Sequence, residues 1–292
     1  MALGERDPHT GHMTTGHEWN GIKELNSPVP KVVLILLIVT ALFAIGYWVL
    51  MPAWPTGVSY TKGLLGLDQR KTVAEQLQDA RQDRAEWTQR LSALDYGVIQ
   101  ADEKLMRIVR QSGHTLFGDN CAACHGSDGK GGKGYPDLAQ ASWLWGGDAQ
   151  TIAETLRVGI NSSHPDTRVS QMMAFGRERM LERADLLAVA TYVESLPGPK
   201  VATADNAKAL QSGKAVFDVN CAACHGEDAK GKRDIGTPDL TDNFWIYGGD
   251  LQSIFSAIYE GRQGQMPSWE ARLSPLERKI LTLYVLDLRA KP

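Results

Sequence analysis

The chain has 292 residues with 31 basic and 34 acidic side chains, a near-balance that argues against a nucleic-acid surface built on net positive charge. That length accommodates two domains and a further segment. All four cysteines lie in two short motifs, which leaves no thiol for a disulfide framework.

Residues 1–31 are polar, carry His9, His12 and His17, and close on Ser27-Pro28-Val29-Pro30, a run that excludes helix. No cysteine or carboxylate cluster accompanies the histidines, so the segment reads as a solvated, flexible tail and not as a metal site. Residues 32–54 follow as VVLILLIVTALFAIGYWVLMPAW, 23 positions without a charge and long enough to cross a bilayer with some tilt. Tyr47, Trp48 and Trp54 sit at its end, where an aromatic belt belongs. The run is too long and starts too late for a cleaved signal peptide, and it ends in Pro52 and Pro55 with no small-residue cleavage site. It reads as a retained anchor. Flanking charge alone leaves its orientation undecided, with Arg6, Lys23 and Lys31 before it and Lys62, Arg70 and Lys71 after.

Residues 55–110 are strongly charged, with apolar positions Val73, Leu77, Ala80, Ala85, Trp87, Leu91, Leu94 and Ile99 at three- and four-residue intervals. The pattern predicts one or two amphipathic helices with little core of their own, a linker suited to docking a partner.

From Gln111 the chain repeats itself. QSGHTLFGDNCAACHGSDGKG matches QSGKAVFDVNCAACHGEDAKG, GYPDLAQASWLWGGD matches GTPDLTDNFWIYGGD, and each copy closes on an apolar helical pattern, around Tyr192 and Tyr284. The copies predict domains over 111–199 and 200–292, joined by a linker from Pro197 through the VATADN run. Between Gly159 and Met172 lie eight more residues than between Gly261 and Met266, an insertion in the first copy.

Cys121-Ala122-Ala123-Cys124-His125 and Cys221-Ala222-Ala223-Cys224-His225 each carry the C-x-x-C-H attachment signature of c-type haem. On one helical turn, two thiols three positions apart reach two vinyl groups of one porphyrin, and the next imidazole reaches the iron. A thioredoxin-type pair expects a βαβ context, and a shared zinc site leaves both histidines unexplained. Two covalently bound haems are therefore expected. Haem c is attached outside the bacterial inner membrane, which places the repeats in the periplasm and residues 1–31 in the cytoplasm of a single-pass protein. The fold expected is all-α: one N-terminal transmembrane helix, then two tandem class-I cytochrome c domains.

His125 and His225 are the proximal ligands. For the sixth position Met266 is the one methionine after Cys221, in a polar loop beside Pro267. In the first repeat Met172 aligns with Met266, with Met173 and His164 as alternatives. Met180 reads as core and His114 as exposed. Pro136 and Pro238, in matched PDL words, are placed to offer a carbonyl to the imidazoles, and Trp143, Trp145, Trp245 and Tyr247 to wall the pockets.

Beyond the haem motifs, the tail GHEWNGIKELNSPVP, the span ending GYWVLMPAWP and the following YTKGLLG resemble the dihaem subunit (CcoP, also called FixP) of cbb3-type cytochrome c oxidases. The resemblance covers nearly the whole chain, departing at Met173, where the family often has proline. It implies a non-catalytic electron-transfer subunit, relaying electrons from a cytochrome c donor to a monohaem cytochrome c subunit and the haem-copper catalytic subunit that reduces oxygen. A free-standing membrane-tethered dihaem shuttle is the alternative. A dihaem peroxidase would need an iron with an open position.

Overall fold

The computed structural model describes residues 4–140, 142–198 and 204–289, so positions 199–203 of the expected linker lie outside it. The chain divides into two compact units, residues 1–83 and 84–292. Apart from one two-stranded hairpin, the architecture of the described residues is helical.

In the first unit the expected flexible tail is a β-hairpin of β1 (Thr14–Trp19) and β2 (Ile22–Leu25), antiparallel with Trp19 opposite Ile22. Asn20 and Gly21, with φ of 52° and 85°, form the turn. Left-handed conformations at both central residues suit the twist of flanking strands, and Asn-Gly adopts them most readily. The Glu24 carboxylate lies 3.4 Å from His17 Nδ1, and Thr15 Oγ1 donates to it at 2.9 Å.

Helix α1 (Lys31–Leu50) is apolar on every face with no residue buried, and its 20 residues are long and apolar enough to cross a membrane. It stops at Leu50, four residues short of the expected end at Trp54, because Pro52 and Pro55 cannot extend it. Its last carbonyls are capped. Tyr47, Val49 and Leu50 accept from the N–H groups of Met51, Leu64 and Leu65 at 2.8, 2.9 and 3.1 Å. Gly63 has φ of 67°, and a Cβ there would stand 2.4 Å from Leu50 O, so the returning YTKGLLG segment requires glycine at that point.

Helix α2 (Gln69–Ala93) leads from Arg84 onward into the second unit, followed by α3 (Tyr96–Ala101) and α4 (Glu103–Asn120). The opening helix of the first repeat thus starts at Glu103, ahead of Gln111, where the Asp102 carboxylate accepts from the N–H groups of Lys104 and Leu105. Leu91, Ile99, Leu105, Met106 and Val109 are all buried. The end of the segment expected to be a coreless linker therefore belongs to the haem body. Lys279 also donates to the carbonyls of Ser92 and Leu94, capping the exit of α2.

Two cores follow, and neither is a sequence repeat. The outer core gathers α4, α5 (Ala122–His125), α6 (Ala149–Val158) and α11 (Pro275–Arg289). The inner core gathers α7 (Arg183–Glu194), α8 (Ala204–Asn220), α9 (Ala222–His225) and α10 (Leu251–Glu260). Each repeat's closing helix covers the other repeat's opening helix. Only nine residues separate α7 from α8, so these two pack as neighbours and α11 is left to close on α4. Both crossings use the same device. A Cβ on Gly113 would lie 2.6 Å from Tyr284 Cβ, and one on Gly213 would lie 2.1 Å from Ala188 O and 2.7 Å from Tyr192 Cβ. Tilted rings sit beside them, Phe117 with Tyr284 at 5.6 Å and Tyr192 with Phe217 at 5.5 Å. The limits 111–199 and 200–292 mark repeats of sequence, and in packing the closing helices α7 and α11 are exchanged between them.

Candidate functional site

Each C-x-x-C-H hangs from the end of an opening helix. Cys121 and Cys221 donate their backbone N–H to Phe117 O and Phe217 O, both at 2.8 Å, and His125 and His225 close one further turn on the cysteine carbonyls at 2.9 Å. Cys121 and Cys221 are buried and Cys124 and Cys224 exposed, so each motif has one inner and one outer thiol. Burial pushes the Cys121 and Cys221 thiols up to about 11.

The imidazoles are held on one side. His125 Nδ1 lies 3.1 Å from Pro136 O and His225 Nδ1 lies 3.3 Å from Pro238 O. With Nδ1–H donating there, Nε2 keeps its lone pair for a metal. Burial lowers both imidazole pKa values, opposed more weakly by the proline carbonyls, and the neutral form is the one that ligates. The loops that carry those carbonyls pass close to themselves. Gly131 and Gly231 donate to His125 O and His225 O at 2.8 and 2.7 Å. A Cβ on either would come within 2.4 Å of a carbonyl oxygen, that of Tyr135 or Thr237.

The methionines cross over. Met266 exchanges two backbone bonds of 2.9 Å with Ile160, just beyond α6, and its side chain packs on the outer core with Cys121. Met172 exchanges bonds of 2.8 and 3.0 Å with Arg262, just beyond α10, and packs on the inner core with Cys221. Met173 is 50 % exposed, and Met180, expected in the core, is 46 % exposed. His164 has both ring nitrogens engaged, Nε2 with Glu270 at 2.7 Å and Nδ1 with the Asp166 N–H at 3.0 Å. His114 is exposed, with Nδ1 3.3 Å from Tyr284 Oη.

Among the described residues three buried side-chain donors have no partner: Trp143 Nε1, Trp145 Nε1 and Arg262 Nε. Leaving such donors unpaired costs about 1–3 kcal/mol each, so a folded protein rarely does. Trp143 packs on the outer core, and Arg262 adjoins Met172 beside the inner one. A porphyrin bearing carboxylates would supply the missing acceptors. Thiol pairs, oriented imidazoles, docked thioethers and orphaned donors together fit haem c.

Three family models match the chain in order: the N-terminal domain of cytochrome oxidase-cbb3, FixP, over residues 11–58, cytochrome c over 111–197, and cytochrome C oxidase, cbb3-type, subunit III, over 208–285. A cbb3-type cytochrome c oxidase subunit FixP of Bradyrhizobium sp. (strain ORS 278) is 44 % identical over 97 % of both chains. A FixP subunit of Azorhizobium caulinodans is 43 % identical over 95 % of this chain and 93 % of its own. A CcoP subunit of Azospirillum brasilense is 42 % identical over 99 % of both. Identity at this level across the hairpin, the apolar helix and both haem motifs makes the chain a member of the FixP/CcoP family of cbb3-type cytochrome c oxidase subunits.

Proposed function

We propose that this chain is the membrane-anchored electron relay of a cbb3-type oxidase and that it carries two covalent haems with crossed ligand sets. One is held by Cys121, Cys124, His125 and Met266, the other by Cys221, Cys224, His225 and Met172. The observation that carries the reading is the seating of each methionine on the core that holds the first cysteine of the opposite repeat's motif, Met266 with Cys121 and Met172 with Cys221. When bound, haem c supplies reversible one-electron iron chemistry. The chain's own residues set its terms. Pro136 and Pro238 orient the imidazoles and raise their basicity, and the two thioethers favour the ferrous state. His125 with Met266 and His225 with Met172 would hold the two groups from the chain alone and leave no ligand place for oxygen, so the chain would transfer electrons and leave oxygen chemistry to a haem-copper subunit.

The proposed route runs from a cytochrome c donor through this chain to a monohaem cytochrome c subunit and the haem-copper core. Residues 1–31 lie in the cytoplasm, α1 spans the inner membrane, and the unit from Arg84 lies in the periplasm. The test begins with stoichiometry. Denatured protein is expected to give a c-type pyridine haemochrome equal to two haems per chain, and acid-acetone extraction of either haem overturns the reading. Mild detergent is expected to copurify the chain with copper, haem b and a monohaem cytochrome. A native mass of this chain alone, without copper or haem b, would leave a free-standing dihaem shuttle instead.

A further inference from the structure

Between Gly159 and Met172 the first repeat carries eight residues more than the second has between Gly261 and Met266. They precede one methionine and are fastened to the loop of the other. Both cores share a framework. Ile160 pairs antiparallel with Met266 and Arg262 with Met172. Trp269 and Phe175, each three residues beyond its methionine, donate to Leu156 O and Ile258 O at 3.0 and 3.1 Å. At the outer core the insertion adds a second layer. Arg168 returns alongside Ile160 in parallel pairing, with the Asn161 N–H donating to Arg168 O at 2.7 Å. Asn161, at φ of 47°, donates from Nδ2 to Gly264 O at 2.7 Å and to Ser170 O at 2.8 Å. Beyond the methionine, His164 Nδ1 accepts from the Asp166 N–H at 3.0 Å. Its ring proton therefore sits on Nε2, 2.7 Å from Glu270 Oε2. Arg157 gathers the same corner, with Nη2 3.0 Å from Asp166 and Nη1 3.4 Å from Glu270. Its carbonyl accepts from Ser268 Oγ at 2.6 Å.

We propose that the 161–171 insertion is a clamp that positions Met266 as an axial ligand. Asn161 holds the loop two residues before the methionine, and His164, through Glu270, holds it four residues after. The inference rests on the crossed-ligand reading, in which Met266 and His125 share a site. A thioether leaves an iron only when the loop carrying it swings out, so whatever holds the loop sets how readily an outside base takes its place. Swinging out at Met266 breaks the contacts of Asn161 with Gly264 and of His164 with Glu270, and the closed state gains by both. Asn161 makes direct hydrogen bonds to backbone, whereas Glu270 is an exposed partner, so the first contact weighs more than the second. The four residues between Gly261 and Met266 are too few to build such a loop for Met172. Asn161, His164 and Glu270 are thus positioning residues for one site and not for the other.

Imidazole titration of the full-length ferric protein with both haems attached tests this, followed by the weak red absorption that thioether ligation gives ferric haem c. The share of that absorption lost in M266A marks the outer site, and the share lost in M172A the inner. N161G/E270A is expected to raise the outer site's apparent imidazole affinity roughly tenfold and to leave the inner site unchanged, with N161G giving the larger part. Glycine keeps the left-handed backbone that Asn161 adopts. E270Q, which can still accept from His164, is expected to stay closer to the parent protein than E270A. An unchanged outer-site affinity in the double variant, or a shift of equal size at both sites, overturns the proposal. If the double variant fails to hold both haems, E270A decides alone, because Glu270 is exposed, and no shift of the outer site in E270A overturns the proposal equally. Should M266A leave the whole red absorption in place, the ligand reading beneath the inference falls instead of the clamp.

Discussion

His125 and His225 each spend one ring nitrogen inside the protein, on a proline carbonyl 11 or 13 residues further along. The role proposed for the other nitrogen comes from the C-x-x-C-H word, because attachment chemistry fixes its spacing. Which methionine meets which histidine was not legible. Both repeats present the same letters, and the proposed pairing rests on backbone bonds between Ile160 and Met266 and between Arg262 and Met172, far apart in sequence. A double substitution reads the pairing directly. If His125 and Met266 share an iron, H125G/M266A leaves one low-spin haem untouched in the ferric EPR spectrum, whereas H125G/M172A disturbs both. The reverse pattern, with H125G/M172A sparing one haem and H125G/M266A disturbing both, returns the ligands to their own repeats.

Among elements, the helix crossings turn on single glycines. Gly213→Val is expected to cost about 3 kcal/mol, because a Cβ 2.1 Å from Ala188 O forces α7 and α8 apart. In a unit of this size that lowers the melting temperature by roughly 10 °C, readable by calorimetry of the holoprotein. Gly118, on α4 with nothing near its missing Cβ, gives the opposite sign, and Gly118→Ala is expected to stabilise by about 0.5–1 kcal/mol. The N-caps add a pH dependence. The hydroxyls of Thr151 and Ser253, and then their backbone N–H groups at 2.9 and 3.0 Å, hold the Asp148 and Asp250 carboxyls below their ordinary pKa. A lowered folded-state pKa means the stabilisation is complete above the ordinary aspartate value near 4 and fades as pH falls through the folded value. Asp148→Asn should therefore lower the melting temperature at pH 7 more than at pH 3, and an equal loss at both would discount the carboxylate. The apolar helix and the closing patterns around Tyr192 and Tyr284 could be read from periodicity. The β-hairpin was missed although Asn20-Gly21 announces it, because polar composition and nearby prolines weighed more than the turn.

At the scale of the molecule, two tandem domains were the natural reading of two tandem repeats, and nothing local in the sequence contradicts it. The family models fall one on each repeat, over 111–197 and 208–285. What the repeats do not tell is which helices pack together, since residues 172–261 carry the inner core while the outer core draws on both α4 and α11. A fragment ending at residue 199 is expected to retain no stable low-spin haem, having lost α11 and Met266. One spanning 160–262 is expected to keep a single six-coordinate haem, and the reverse pattern would restore autonomous repeats. Optical spectra of the two fragments, produced with haem-attaching enzymes, decide between them. Burial of Leu91 and Ile99 places the C-terminal part of the supposed linker within the outer core, so truncation before Glu103 should destabilise that haem first. The closure of α4 by α11 also sets a timetable. Synthesis runs from the N-terminus, so Cys121 and His125 emerge early but stay uncovered until the final helix arrives, long after Cys221 and His225 have gained α7 as their cover. The first motif made is the last one sealed, which leaves it the longer window for haem attachment and the longer exposure to thiol oxidation.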